Sequence, residues 1–168
     1  LKEAAILNVG KPEEIEPFDR KMKKYTSFAR FQLRKDLPEA EQQKLRDSLA
    51  AYRRVIVTVT EQRLAPYQSF FAKFAPESPV IYVFYTPAKS MLQIQRAVSA
   101  AEAVVLAHAS RDDVQERVAD LLFGKATADG RLPASIGGLF PTGSGVTITP
   151  HTPFHFVPEE YGMKSEVL

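Results

Sequence analysis

A histidine and a serine at the end of a predicted strand are the most chemically suggestive pair in the chain. His108 and Ser110 follow an apolar run at residues 103–107. Ligands of a parallel sheet covered by helices bind at the carboxyl ends of its strands. A histidine placed there is able to act as a general base or to hydrogen-bond a partner. The simpler interpretation is a strand-end histidine that is satisfied by backbone groups, and the sequence leaves both interpretations open.

Glu61 lies at the corresponding end of the third predicted strand. A carboxylate in a cleft can have a raised pKa and act as a general acid. Glycoside hydrolysis needs a second carboxylate at a defined separation, and the sequence identifies none. A solvated loop acid is therefore the alternative interpretation of Glu61.

Other groupings resemble functional motifs only superficially. Ser144 lies directly between two glycines and lacks the Gly-x-Ser-x-Gly spacing of a nucleophile elbow, so we predict a structural turn. His151 and His155 are four residues apart, but Pro153 between them argues against a helix that would pair them on a metal. The loop after the first strand has neither a dinucleotide fingerprint nor a P-loop. We therefore assign no catalytic, cofactor-binding or metal-ligating residue and expect no cofactor.

The elements that position these residues are five apolar runs that alternate with amphipathic stretches. The central runs are apolar on both faces, which is typical of parallel strands covered by helices. The sequence thus predicts a three-layer α/β/α, doubly wound, mostly parallel sheet of five or six strands. The sixth would be a short strand at residues 145–148, and the sequence leaves open whether it is parallel or antiparallel. The predicted strands are residues 4–9, 27–33, 54–60, 79–85 and 103–107, and the predicted helices are 12–24, 36–52, 63–75, one from 86 and one from 112.

Composition and charge narrow the classes of partner. The chain has no cysteine, which excludes disulfides, thiolate catalysis and cysteine-ligated zinc. Its net charge is +2, and the one dense basic run, KMKK at residues 21–24, is typical of a solvated helix end. No apolar run approaches the roughly 20 residues of a membrane span. We expect neither a nucleic-acid partner nor a membrane span.

The segment from residue 112 to 146 carries the most informative pattern. Ser110 is a candidate N-cap for a helix, and Gly124 stands where a left-handed residue would end it. An Asp-Gly turn, an extended LPAS stretch and a Gly-rich run follow. The apolar stripe of the helix consists of Val114, Val118, Leu121 and Leu122.

The order of these parts resembles a known family. LLFGK, a polar spacer, DGRLPASI, Phe-Pro and Gly-Ser-Gly are similar to the end of the C-terminal domain of glycoside hydrolase family 3. RVIVTVT and PVIYVFYTP resemble the central β-α-β of that domain. PEEYGM at residues 158–163 resembles a linker in Bacteroidetes-type enzymes that are fused to a β-lactamase-like serine hydrolase. The resemblance covers about residues 3–165 and is most specific at 118–146.

The resemblance implies a flavodoxin-like sandwich that belongs to a larger enzyme. In this family the nucleophilic aspartate lies on a preceding (β/α)8 barrel, and β-N-acetylglucosaminidase-like members carry the acid/base dyad there as well. In other members a glutamate of the second domain supplies the acid, but no motif assigns that role to Glu61. We expect an accessory domain that is not catalytic on its own, covers the barrel mouth and shapes the sugar pocket of a β-N-acetylglucosaminidase-like enzyme of carbohydrate metabolism. The expected partners are that barrel and a downstream β-lactamase-like domain.

The expected organisation is an α/β domain at residues 1–148 and a linker or surface strap at 149–168. The first residue is leucine rather than methionine, which suggests a piece of a longer chain, and the parent protein is expected to be periplasmic or secreted. Two alternatives stay open: a free-standing flavodoxin-like hydrolase that uses His108 or Glu61, and a binding module without chemistry. The accessory domain predicts an exposed apolar patch for the barrel, whereas a free-standing enzyme predicts a deep polar pocket.

Overall fold

A computed structural model describes residues 2–150 and 166–167 of the 168-residue chain. These residues form one sheet of six strands in the order β2-β1-β3-β4-β5-β6, and every neighbouring pair is parallel. The first five strands have the order of flavodoxin-like doubly wound sheets. The predicted fold class is therefore confirmed. The strands are β1 (Lys2–Val9), β2 (Ala29–Leu33), β3 (Tyr52–Val59), β4 (Val80–Phe84), β5 (Ala103–Leu106) and β6 (Glu166–Val167).

Side chains of the central strands alternate between two buried clusters, one on each face of the sheet. Val57 and Tyr82 belong to the cluster that includes Leu49 and Phe70, whereas Ile56 and Ile81 belong to the cluster that includes Phe18 and Leu122. Helices α2, α3 and α4 therefore cover one face, and α1 and α5 cover the other. The helices are α1 (Glu16–Met22), α2 (Glu39–Leu49), α3 (Gln68–Ala72), α4 (Gln95–Ser99) and α5 (Asp112–Leu122).

The helix boundaries differ from the prediction in several places. The second helix begins only after Pro38, because Asp36 adopts a left-handed φ of 49°. Tyr52 begins β3 instead of ending that helix. Ser110 is not the N-cap of α5, since Arg111 holds that position without a side-chain cap bond. Three of the predicted helices begin as a 3₁₀ segment with a proline at or next to its start. The helix predicted at 12–24 begins with Pro12–Ile15, the one at 63–75 with Ala65–Tyr67, and the one from 86 with Ala88–Ile94.

The segment after α5 crosses from one face of the sheet to the other. Gly124 ends the helix with a left-handed φ of 69°, as the sequence predicts. Leu132 and Phe140 then pack in the cluster under α2–α4, whereas Ile148 packs in the cluster under α1 and α5. The strand predicted at residues 145–148 is wrong, because only one antiparallel bridge forms there, between Ala128 and Ile148.

The sixth strand instead lies within residues 149–168 and pairs with the amino-terminal half of β5. The division into a domain and a linker stays a prediction. Within the described ranges, no helix has the length and apolar character needed to cross a membrane.

Candidate functional site

The switch point of the sheet, between β1 and β3, is where doubly wound folds usually bind ligands. Here it is filled by polar side chains that satisfy one another. Asn8 is fully buried and accepts a hydrogen bond from Thr58 Oγ1 at 3.0 Å, while its own Nδ2 donates to Gln32 Oε1 at 3.0 Å. Gln32 Nε2 donates in turn to the carbonyl oxygen of Gly10 at 2.6 Å. The network therefore joins three adjacent strands.

Close packing also fills the space above that network. Gly10 has a φ of 133°, and a Cβ atom added to it would lie 2.0 Å from Thr60 Oγ1. The two chain segments that leave β1 and β3 thus touch where a ligand would enter. The switch point has no room for a ligand group at this contact.

Glu61 lies beside this contact, but its environment does not suit a general acid. Its Oε1 accepts the backbone N–H of Arg63 at 3.1 Å, and its Oε2 lies 3.4 Å from Lys35 Nζ. The hydrogen bond from the Arg63 N–H, with a smaller contribution from Lys35, lowers the pKa of Glu61. A carboxyl held ionised at neutral pH has no proton to donate to a leaving group.

His108 lines a cavity of about 250 Å³ at the carboxyl end of β5. The floor of the cavity comes from the end of β5 and from the apolar face of α5, and its wall comes from the segment after α5. His108 is exposed and has a left-handed φ of 62°, which side chains other than glycine seldom adopt. The apolar lining includes Val105, Ala107, Val114, Val118, Leu121, Ala128 and Leu132.

Two arginines line the same cavity. Arg117 Nη2 donates to the carbonyl oxygen and the hydroxyl of Thr127, at 3.3 and 3.1 Å. Arg131 donates to the carbonyl oxygen of Gly130 at 3.1 Å and to Thr147 Oγ1 at 2.9 Å. Within residues 2–150, neither guanidinium lies within ion-pair distance of a carboxylate.

Ser110, the predicted partner of His108, makes a structural hydrogen bond through its backbone. The carbonyl oxygen of Ser110 accepts a hydrogen bond from Gln115 Nε2 at 2.6 Å, and the same nitrogen donates to the carbonyl oxygen of Glu14. Ser144 also lines the cavity, but its hydroxyl donates to the carbonyl oxygen of Pro141 at 2.6 Å within a turn. His151 and His155 lie outside the described residues.

A half-buried ion pair lies on the α1 face, away from the cavity lining. Arg30 Nε is 2.9 Å from Asp19 Oδ2. Burial raises the pKa of Asp19 despite the attraction of Arg30, and burial lowers the pKa of Arg30. Tyr85 is buried on the same face, and burial together with the Asp19 charge holds the pKa of its hydroxyl well above the ordinary value. These shifts accompany burial in the core.

The sequence prediction missed Arg117 and Arg131. Each is an exposed arginine on a helix or in a loop, and nothing in the local pattern distinguishes such a residue from ordinary surface charge. Their convergence depends on the return of the chain along α5, where Ala128 pairs with Ile148. Among the described residues, no group of three or more histidine, aspartate and glutamate side chains could hold a metal ion.

A comparison with protein-family models, with curated proteins and with solved structures finds no match to this chain. The resemblance to glycoside hydrolase family 3 therefore stays a prediction based on the residues quoted above.

Proposed function

We propose that this chain is an accessory C-terminal domain of a family 3 β-glycosidase of the β-N-acetylglucosaminidase-like kind. The observation that supports it best is the path of the segment with the family-like pattern. That segment closes the last helix of the sandwich at Gly124 and then wraps the β5 end of the sheet, with Leu132 buried against one face and Ile148 against the other. The resemblance implies the same order, because in family 3 the corresponding segment closes the last helix and leads into the final edge of the α/β sandwich.

The state of Glu61 supports a non-catalytic role. Retaining glycosidases need one carboxyl group with a raised pKa as the acid, whereas the hydrogen bond from Arg63 N–H lowers the pKa of Glu61. In the proposed enzyme the nucleophile and the acid both belong to the (β/α)8 barrel. The domain covers the barrel mouth, and the parent protein acts outside the cytoplasm.

The surface of the described residues offers a polar rather than an apolar docking face. Leu92, at 39% exposure, is the one large apolar side chain among them that is exposed. The apolar patch expected from the sequence is therefore not confirmed. Interfaces between domains of one chain are more polar than those of obligate dimers, so a barrel would dock here mainly through polar and charged side chains.

The first experiment assays the chain alone on 4-nitrophenyl N-acetyl-β-D-glucosaminide and on 4-nitrophenyl β-D-glucoside. We expect no hydrolysis above the buffer rate. Turnover by the isolated chain would refute the accessory role, and loss of that turnover in His108→Ala would then favour the free-standing hydrolase.

The second experiment uses the polypeptide that the proposal requires, with a barrel encoded upstream of this domain. We expect that deleting the domain lowers kcat/KM by at least about tenfold, because positioning elements contribute strongly to the bound geometry. Glu61→Gln in the two-domain protein should keep kcat within about twofold, since removal of a general acid would cost roughly 10²–10⁴-fold. An upstream sequence without a barrel contradicts the proposal, and a large loss of kcat in Glu61→Gln would assign the acid to this domain.

A further inference from the structure

The cavity at the end of β5 combines an apolar floor with a cationic rim. Valine, alanine and leucine side chains of β5 and α5 form the floor, and Arg117, Arg131 and His108 stand among the polar lining residues. None of the described lining residues is an aspartate or a glutamate. The lining therefore carries the positive charges of two arginines and no carboxylate.

The two guanidinium groups are held in place but keep free donors. A guanidinium carries five N–H donors in a planar fork that matches carboxylate and phosphate oxygens. Arg117 uses Nη2 for its contacts with Thr127. Arg131 uses its Nη atoms for the contacts with Gly130, Asp129 and Thr147. Because these contacts already order both side chains, an anion that binds them loses less free energy to side-chain ordering.

The backbone of His108 supports the same location independently. A left-handed conformation in a residue other than glycine is costly, and such conformations cluster at ligand-binding sites. His108, with its φ of 62°, lies just after the end of β5 and lines the cavity. Histidine tolerates the left-handed backbone region better than most residues do, so His108 is able to adopt this conformation. The left-handed conformation is not needed to continue the strand.

From these observations we propose that the cavity binds a small organic oxyanion, a carboxylate or a phosphate monoester joined to a compact apolar group. The apolar group lies against Val105, Val114 and Val118, and the oxyanion accepts hydrogen bonds from Arg117 and Arg131. A volume of about 250 Å³ equals that of roughly eight water molecules. It therefore suits a ligand of the size of a substituted benzene ring. The proposal does not depend on the glycosidase assignment.

The test is a titration of the 168-residue chain with phenyl phosphate and with benzoate. Binding is measured by calorimetry and by the shifts of backbone amide NMR signals. We expect saturable binding of at least one of them with a dissociation constant of about 0.1–1 mM. Benzyl alcohol, which has the ring without the charge, and inorganic phosphate, which has the charge without the ring, should each bind at least about tenfold more weakly. The shifted amides should lie at the end of β5, along α5 and at residues 127–132.

Variants separate the cavity from general surface charge. Arg117→Met should raise the dissociation constant of the anion at least about tenfold, because it removes a charge-assisted hydrogen bond. Arg34→Met removes the same charge from an arginine paired with Glu41 elsewhere on the surface, and it should leave binding within about twofold. Val114→Met, which fills the floor from a half-buried position in the first turn of α5, should abolish binding while the far-ultraviolet circular dichroism stays native.

Three results would overturn the proposal. They are no saturation by either anion up to about 10 mM, equal effects of Arg117→Met and Arg34→Met, and shifted amides that map away from the cavity. None of these results bears on the accessory-domain proposal, which the barrel experiment decides separately.

Discussion

Replacing Gly10 by alanine tests whether the switch point is as tightly closed as the structure shows. The new Cβ atom would lie 2.0 Å from Thr60 Oγ1 and 3.3 Å from both Thr60 Cβ and the Glu61 amide nitrogen. Rotation of the threonine side chain would move Oγ1 but would leave the other two contacts. Overpacking of this kind costs about 1–3 kcal/mol. A φ of 133° in a residue with a Cβ adds about 1–3 kcal/mol of backbone strain.

We therefore expect Gly10→Ala to lower the free energy of unfolding by about 2–6 kcal/mol. Urea unfolding followed by far-ultraviolet circular dichroism should show this as a midpoint shift of about 1–3 M with an unchanged slope. The double variant with Thr60→Ala separates the two causes, because it removes the closest contact and leaves the strain. It should recover about half of the loss, since the Thr60 hydroxyl makes only a 3.5 Å contact to Val9 O.

Gly130→Ala is the matched control for this experiment. No atom lies within 4 Å of a Cβ built on Gly130, and its φ is outside the left-handed region. Its unfolding free energy should stay within about 0.5 kcal/mol of the native value. The reasoning is refuted if Gly10→Ala unfolds at the native urea midpoint, or if removing the Thr60 hydroxyl recovers none of its loss.

Three further changes test polar side-chain contacts. Thr58→Val leaves the buried Asn8 Oδ1 without its 3.0 Å donor, so urea unfolding should show a loss of about 1–3 kcal/mol, and a native midpoint would contradict the network. Gln115→Met removes two hydrogen bonds that tie α5 to the start of α1, at Glu14 and Phe18, and a third to Ser110 just before α5; a loss of about 2–4 kcal/mol is expected, whereas a loss below about 1 kcal/mol would show that water replaces them. The hydrogen bond to Asp120 raises the pKa of Tyr25 from 10.0 to about 12. The stabilisation of the fold by this hydrogen bond is therefore complete below pH 10 and is lost as the pH rises through about 12. The phenol absorbance, measured as the difference from Tyr25→Phe, should titrate near 12 and move toward 10.0 in Asp120→Asn; an unchanged titration in that variant would exclude Asp120 as the cause.

Strands β1, β3, β4 and β5 were predictable because each is a short apolar run with strand-favouring residues. Residues 54–60 and 79–85 are β-branched or aromatic at nearly every position, and burial on both faces demands that composition. Tyr52 was assigned to the preceding helix because its spacing from Leu49 fits a helical stripe. In the fold its ring packs edge-on against Phe31 of β2, a contact between distant parts of the chain that overrides the local pattern.

Strand order and the cavity could not be predicted from the sequence in the same way. Each crossover allows the next strand to be added on either side of the sheet. The order β2-β1-β3 means that β3 is added on the side of β1 opposite to β2, and this choice depends on how whole helices pack. His108 was identified because a strand end is visible in the sequence. The arginines were not, since Arg117 and Arg131 line the same cavity as His108 only because residues 123–150 fold back along α5, and no spacing along the chain indicates this.

The filled switch point bears on where this fold can bind a ligand. Asn8 is in register with Gln32 of β2 and with Thr58 of β3, and it is hydrogen-bonded to both. A slip of either strand by one residue would move these polar groups to opposite faces and leave each of them buried without a partner. These residues thus fix strand register at the edge where doubly wound sheets usually bind ligands. Ligand binding then requires another opening at the carboxyl edge, and in the described residues the cavity beside His108 is at that edge, with its positive rim free of carboxylates.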